Sequence, residues 1–161
     1  MSTLAIPPAM ALAIHAEVAH HGARDVETGM FLLAAPGVRT VGTLALAGSA
    51  GVTRRREQFA LTGRALNRLF SHARREQLEI VAQIHSHAGR AFLSEVDLRH
   101  GFAVEGFTTS VIPTYRRPPL DPASWGWWRH DGRGWKTVPP YTIGDDHATI
   151  IAFDERAIDA R

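Results

Sequence analysis

The chain has 161 residues, 45% of them apolar and 21% charged, with 18 basic against 16 acidic side chains. That length suits a single domain over residues 1–161 with one core, and the composition excludes a disordered or low-complexity protein. There is no cysteine, which rules out disulfides, thiolate nucleophiles and cysteine-held zinc, so any metal must take nitrogen and oxygen ligands.

A formal charge of +2 nominates no partner. The run Arg54-Arg55-Arg56 could meet nucleic acid or an acidic surface, but a solvated loop is the plainer expectation. The apolar stretch from Leu4 to Ile14 is interrupted by Pro7-Pro8, with no Lys or Arg ahead of it, and no apolar run reaches membrane-spanning length. The expected setting is the cytoplasm, with neither membrane nor nucleic acid as a partner.

After a short N-terminal strand, Pro8 to His21 sets Met10, Ile14 and Val18 at helical spacing and stops at Gly22, a C-terminal signal. Met30–Ala35 and Val38–Ala47 flank Pro36-Gly37 and read as a hairpin. Thr62 can cap a helix to Gln77 that carries Leu66, Leu69 and Phe70 on one side. Leu78 to Ile84 reads as a buried strand that runs straight into His85-Ser86-His87.

Ser94 can cap a third helix over about Glu95 to Val104, and Thr108 to Ile112 is the next strand. Four prolines between Pro113 and Pro122 predict an exposed irregular loop. Trp125, Trp127 and Trp128, with the Asp131-Gly132 turn before Trp135, suggest a closing hairpin. Those tryptophans could form a binding surface, but packing on the core is the stronger expectation.

Residues two apart on a strand share a face, so His85 and His87 present two imidazoles to one point while Ser86 turns away. Ser94 and Asp97, three apart at a helix start, share a face that a short loop can fold back onto the histidines. Two nitrogens and one carboxylate oxygen would then leave one of zinc's four positions open, the mark of a catalytic rather than a structural site. By itself a His-x-His pair is weak support for a metal, and His20-His21 have no partner at ligand spacing.

Taken together, Glu27-Thr28-Gly29 opening an apolar strand, His85-Ser86-His87, and then Ser94-x-x-Asp97 resemble the signature of the JAMM (MPN+, or JAB) zinc metallopeptidases over roughly Ala9 to Ile112. The resemblance implies an α/β fold, a mixed sheet flanked by helices in the MPN/JAB, cytidine-deaminase-like architecture. It implies Zn2+ held by His85, His87 and Asp97, Glu27 as acid/base, and Ser94 as the hydroxyl that steadies the oxyanion.

Two departures stand out: Ala88 follows the second histidine where the family usually has proline, and the interval from His87 to Ser94 is one residue shorter, a change Gly89 could absorb. The implied reaction is hydrolysis of the amide bond after the C-terminus of a bacterial ubiquitin-like protein, by deconjugation or precursor processing, with an antiphage conjugation system as one setting. The competing expectations are processing of a sulfur-carrier or other precursor, and a non-catalytic scaffold of the same fold. Intact His85, His87, Asp97 and Glu27 weigh against the scaffold.

Overall fold

The computed structural model describes residues 3–139, 142–143 and 147–161. Strand β1 (Ala5–Ile6) leads into helix α1 (Pro8–Gly22), which starts with proline at a position whose N–H needs no partner. Gly22 closes that helix for a reason other than the expected turn. A Cβ there would lie 1.9 Å from the Tyr115 carbonyl oxygen, and the left-handed turn falls instead on Asp25 at φ 60°.

The expected hairpin forms from β2 (Gly29–Ala34) and β3 (Thr43–Ala47), with Gly37 at φ 74° in the turn. A second hairpin, β4 (Val52–Arg55) with β5 (Gln58–Leu61), was not anticipated, and it splits the arginine run. Arg55 and Arg56 are exposed as expected, but Arg54 donates to Thr28 Oγ1 at 3.0 Å and to the Gly48 and Ala47 carbonyls at 2.6 Å each, clamping the hairpin onto the end of β3 and the residue before β2.

Helix α2 (Gly63–Arg75) is capped by Thr62, whose hydroxyl accepts from the Ala65 N–H. Strand β6 (Glu79–Ser86) and helix α3 (Glu95–His100) follow, α3 stopping one turn before the expected Val104 because Gly101 is extended. Beyond β7 (Thr108–Ile112) the proline-rich segment is irregular, as its prolines require, but not simply exposed: Tyr115 is only 1% exposed. A short 3₁₀ turn (Pro122–Ser124) precedes β8 (Gly126–His130) and β9 (Trp135–Thr137), the closing hairpin, with Gly132 at φ 89°.

Strands β10 (Thr142–Ile143), β11 (Thr149–Phe153) and β12 (Ile158–Ala160) complete the chain. The main sheet is mixed and eight-stranded, in the order β12-β11-β3-β2-β6-β7-β8-β9, with β11 parallel to β3 and β6 parallel to β7. This is the α/β architecture expected from the motifs.

Alternation along β2 and β6 divides the core in two. Met30, Leu32, Ala82 and Ile84 pack with Met10, Ile14 and Val18 of α1, together with Tyr115, Trp125 and Trp127. Phe31 and Leu33 pack with Leu69 and Ala73 of α2 and Phe153 of β11. Trp125 and Trp127 are each 5% exposed and stacked on one another, so these two serve the core, as expected, whereas Trp128 and Trp135 are only half-buried. Among the described residues no helix is long and apolar enough to cross a membrane.

Candidate metal centre

β2 and β6 are antiparallel, with Gly29 opposite His85 and Phe31 opposite Gln83. Carrying that register forward sets Glu27 opposite His87, on the face shared by both histidines. Ser86, pointing the other way, fixes the register: its hydroxyl accepts from the Thr28 N–H at 2.9 Å, and its own N–H donates to the Thr28 carbonyl at 3.0 Å. Glu27 is held from a second side, where its N–H donates to the Arg55 carbonyl at 2.8 Å.

Asp97 reaches the histidines from the first turn of α3. Ser94 and Asp97 form a reciprocal capping box: the Asp97 N–H donates to Ser94 Oγ at 3.1 Å, and the Ser94 N–H donates to Asp97 Oδ2 at 2.8 Å. The Ser-x-x-Asp spacing therefore aims the carboxylate as well as starting the helix. Ser94 Oγ acts here as an acceptor, which leaves its proton available to donate toward the cleft.

Three distances define the centre. His85 Nε2 lies 3.2 Å from His87 Nε2 and 3.0 Å from Asp97 Oδ1, while His87 Nε2 lies 3.3 Å from Asp97 Oδ2. A tetrahedral ion with bonds of about 2.0 Å keeps its ligand atoms about 3.3 Å apart, so this donor set fits a small divalent cation. Each imidazole faces a different carboxylate oxygen, and the three residues are the metal-compatible group of His, Cys, Asp and Glu among the described residues. His85 and His87 are each 6% exposed.

The electrostatics agree with this layout. Burial would push the Asp97 carboxyl up, but hydrogen bonds from His85 and His87 and from the Ser94 N–H hold it well below the usual carboxylate range. Burial opposes charging of His87, yet its hydrogen bond to Asp97 and the negative charges of Glu27 and Asp97 outweigh that and raise its pKa. Glu27 behaves differently: burial, together with the charges of Asp97 and Glu57, pushes it up to about 7 despite the opposing pull of His87.

The structure thus brings His85, His87, Asp97 and Glu27 together, with Ser94 bound to Asp97 through the capping box. Sequence reasoning missed several supports. Tyr115, from the proline-rich segment, donates its N–H to the His87 carbonyl at 3.0 Å, and Thr114 does the same to the Gly89 carbonyl at 2.8 Å. Phe92 meets the His87 ring edge-on at 4.9 Å, and the Arg90 carbonyl lies 3.3 Å from His87 Nδ1, orienting the imidazole as a metal ligand would require. The shortened loop closes with Gly89 outside the left-handed region, in open space where a Cβ would meet nothing within 4 Å. Trp135, from the distant C-terminal hairpin, lines the cleft with His85, Leu93, Val96 and Asp97.

No family model matches the chain. Among curated proteins it is similar to the probable metalloprotease y4jG of Sinorhizobium fredii (strain NBRC 101917 / NGR234), 37% identical over 76 residues, which are 46% of this chain and 47% of that protein. The similarity therefore spans about half the length of the curated relative.

Among solved structures, a protein of Desulfitobacterium hafniense overlays 90% of this chain and 95% of its own at a TM-score of 0.65 and 15% identity. A protein of Salinibacter ruber (strain DSM 13855) overlays 86% of this chain and 91% of its own at a TM-score of 0.52 and 24% identity. A JAB1/MPN domain protein of Archaeoglobus fulgidus overlays 89% of this chain and 100% of its own at 16% identity, but its TM-score of 0.49 adds no weight. The order of elements implied by the motif resemblance is present: helix, glutamate-led hairpin, helix, strand into His-x-His and helix from Ser-x-x-Asp, closed around one point.

Proposed function

We propose that the chain is a zinc-dependent peptidase of the JAMM type, with His85, His87 and Asp97 as ligands, Glu27 as general base and acid, and Ser94 as a donor to the developing oxyanion. The observation that carries this reading is the convergence of two imidazole nitrogens, 3.2 Å apart, on the two oxygens of one carboxylate at 3.0 and 3.3 Å, with a buried carboxyl on the same face. The 37% identity to a probable metalloprotease, over about half of each chain, supports it.

Bound there, the metal would supply Lewis acidity toward water and toward a carbonyl oxygen. The remaining chemistry falls to the protein. Glu27, pushed up to about 7, can take a proton from water near neutral pH and return it to the departing amine. Asp97 stays ionised and keeps both imidazoles aimed at one point, while the Ser94 hydroxyl can donate to the oxygen on which negative charge develops.

The substrate in this reading is the amide bond after the C-terminus of a bacterial ubiquitin-like protein, either a conjugate or a precursor. Its support is the motif resemblance, with a sulfur-carrier or other precursor as the neighbouring alternative. The test is incubation with a ubiquitin-like protein encoded near the gene, joined by an amide bond to a reporter, with and without a chelator. Cleavage that the chelator stops and Zn2+ restores is expected; a folded, zinc-loaded protein that cuts no such fusion contradicts this substrate.

A further inference from the structure

A second recess opens beside the metal cleft. It is walled by Phe31 of β2, Phe59 and Leu61 of β5, Leu66 of α2, and Val96 and Phe102 at and after α3. Its volume of about 290 Å³ stands near the lower end of small-molecule sites, about 300 Å³. Its lining includes no charged side chain; the polar ones are Gln58 and Gln83.

Farther along the same face Leu33, Leu69 and Phe153 are fully buried, so the sheet closes where it serves only the core, whereas Val96 at the recess is 43% exposed. The recess is continuous with the metal cleft, because Phe59, Gln83 and Val96 line both. Phe59 is the wall between them. Its ring lies against Gly29, opposite His85, so closely that a Cβ at Gly29 would stand 2.2 Å from the ring.

We propose that this recess is a side-chain subsite selecting a large apolar residue, Leu, Met or Phe, about two residues along an extended substrate from the bond that is cut. The inference rests on the peptidase reading. The spacing comes from β6 itself: Gln83, where recess and cleft meet, and His85, in the cleft alone, are two residues apart on one strand face, about 6.4–6.8 Å, which is the reach of two residues of extended peptide. An uncharged lining with aromatic walls favours an apolar occupant and penalises a charged one, which would lose its water there without a partner.

The test uses six-residue peptides sharing one scissile bond, with Leu, Phe, Gly or Asp placed at each position in turn. Binding is measured by NMR titration of the chelator-treated protein, and the cut position is read by mass spectrometry with the zinc-loaded protein. Binding about 10- to 100-fold tighter for Leu or Phe than for Asp at one position, two residues from the bond, is expected. Leu66→Trp, which fills the recess, should bring that ratio toward parity, and Val96→Asp at its exposed rim should lower it without unfolding the protein.

Binding that is equal across the set, or absent from all of it, overturns the subsite, as does a preference confined to residues flanking the bond. A clear binding preference with no peptide cut contradicts the peptidase reading instead and leaves the recess as a binding site.

Discussion

On β2 and β6, Met30, Leu32, Ala82 and Ile84 look one way, and Gly29, Phe31, Gln83 and His85 look the other. The first set meets α1 in an apolar layer in which these four side chains are fully inaccessible. The second begins as core at Phe31, opens into a recess at Gln83, and ends at the imidazoles and Glu27. Both faces share one backbone, so the dry face supplies the rigidity with which the wet face is aimed. Ser86 joins them: it sits between the two histidines, and its bonds to Thr28 fix how far β2 can slide along β6.

Changes on the two faces should therefore separate stability from chemistry. Leu32→Ala, wholly on the dry face, should cost about 2–5 kcal/mol of unfolding free energy in denaturant titration while zinc affinity is retained. A large loss of metal with little loss of stability would break the comparison.

Glu27→Gln should have the opposite character, abolishing cleavage but keeping the metal, since no ligand is removed. It also carries a pH signature in the chelated protein. Folded Glu27 keeps its proton up to about 7, whereas the unfolded chain releases it near 4.5. Folding therefore takes up a proton between those values, and stability falls as pH rises through that window. Gln removes the penalty, so the variant should match wild type below about pH 4.5 and exceed it by about 3 kcal/mol at pH 8. Parallel stability curves across that range would contradict the assignment of a buried, proton-holding Glu27. The smallest effect belongs to Ser86→Ala, which strands the buried Thr28 N–H and should cost about 1–3 kcal/mol, with some loss of metal affinity as the register loosens.

What was legible in the sequence was local. Leu78 to Ile84 reads as a buried strand that runs into two same-face imidazoles, and the capping box that aims Asp97 spans only four residues. The missing parts depend on contacts distant in sequence. The two strands of the β4–β5 hairpin are half-buried throughout except at Arg55, so they carry little periodic signal, and the arginine run hides the clamp that Arg54 makes on the end of β3 and on Thr28. Tyr115 supports His87 from a segment that its prolines marked as an exposed loop. β11 is a short strand with a four-residue apolar run, Ile150 to Phe153, whose place beside β3 is set by pairing across about a hundred residues. The recess draws its walls from β2, β5, α2 and α3, so no window of the sequence contains it.

The central claim is that His85, His87 and Asp97 hold one divalent ion. Calorimetric titration of chelator-treated protein with Zn2+, wild type against Asp97→Ala, tests it most directly. One ion per chain in the wild type is expected, with affinity lower by roughly 100-fold or more in the variant and the circular-dichroism spectrum unchanged. A folded wild type that takes up no zinc, or an Asp97→Ala protein that binds it equally well, would contradict the claim.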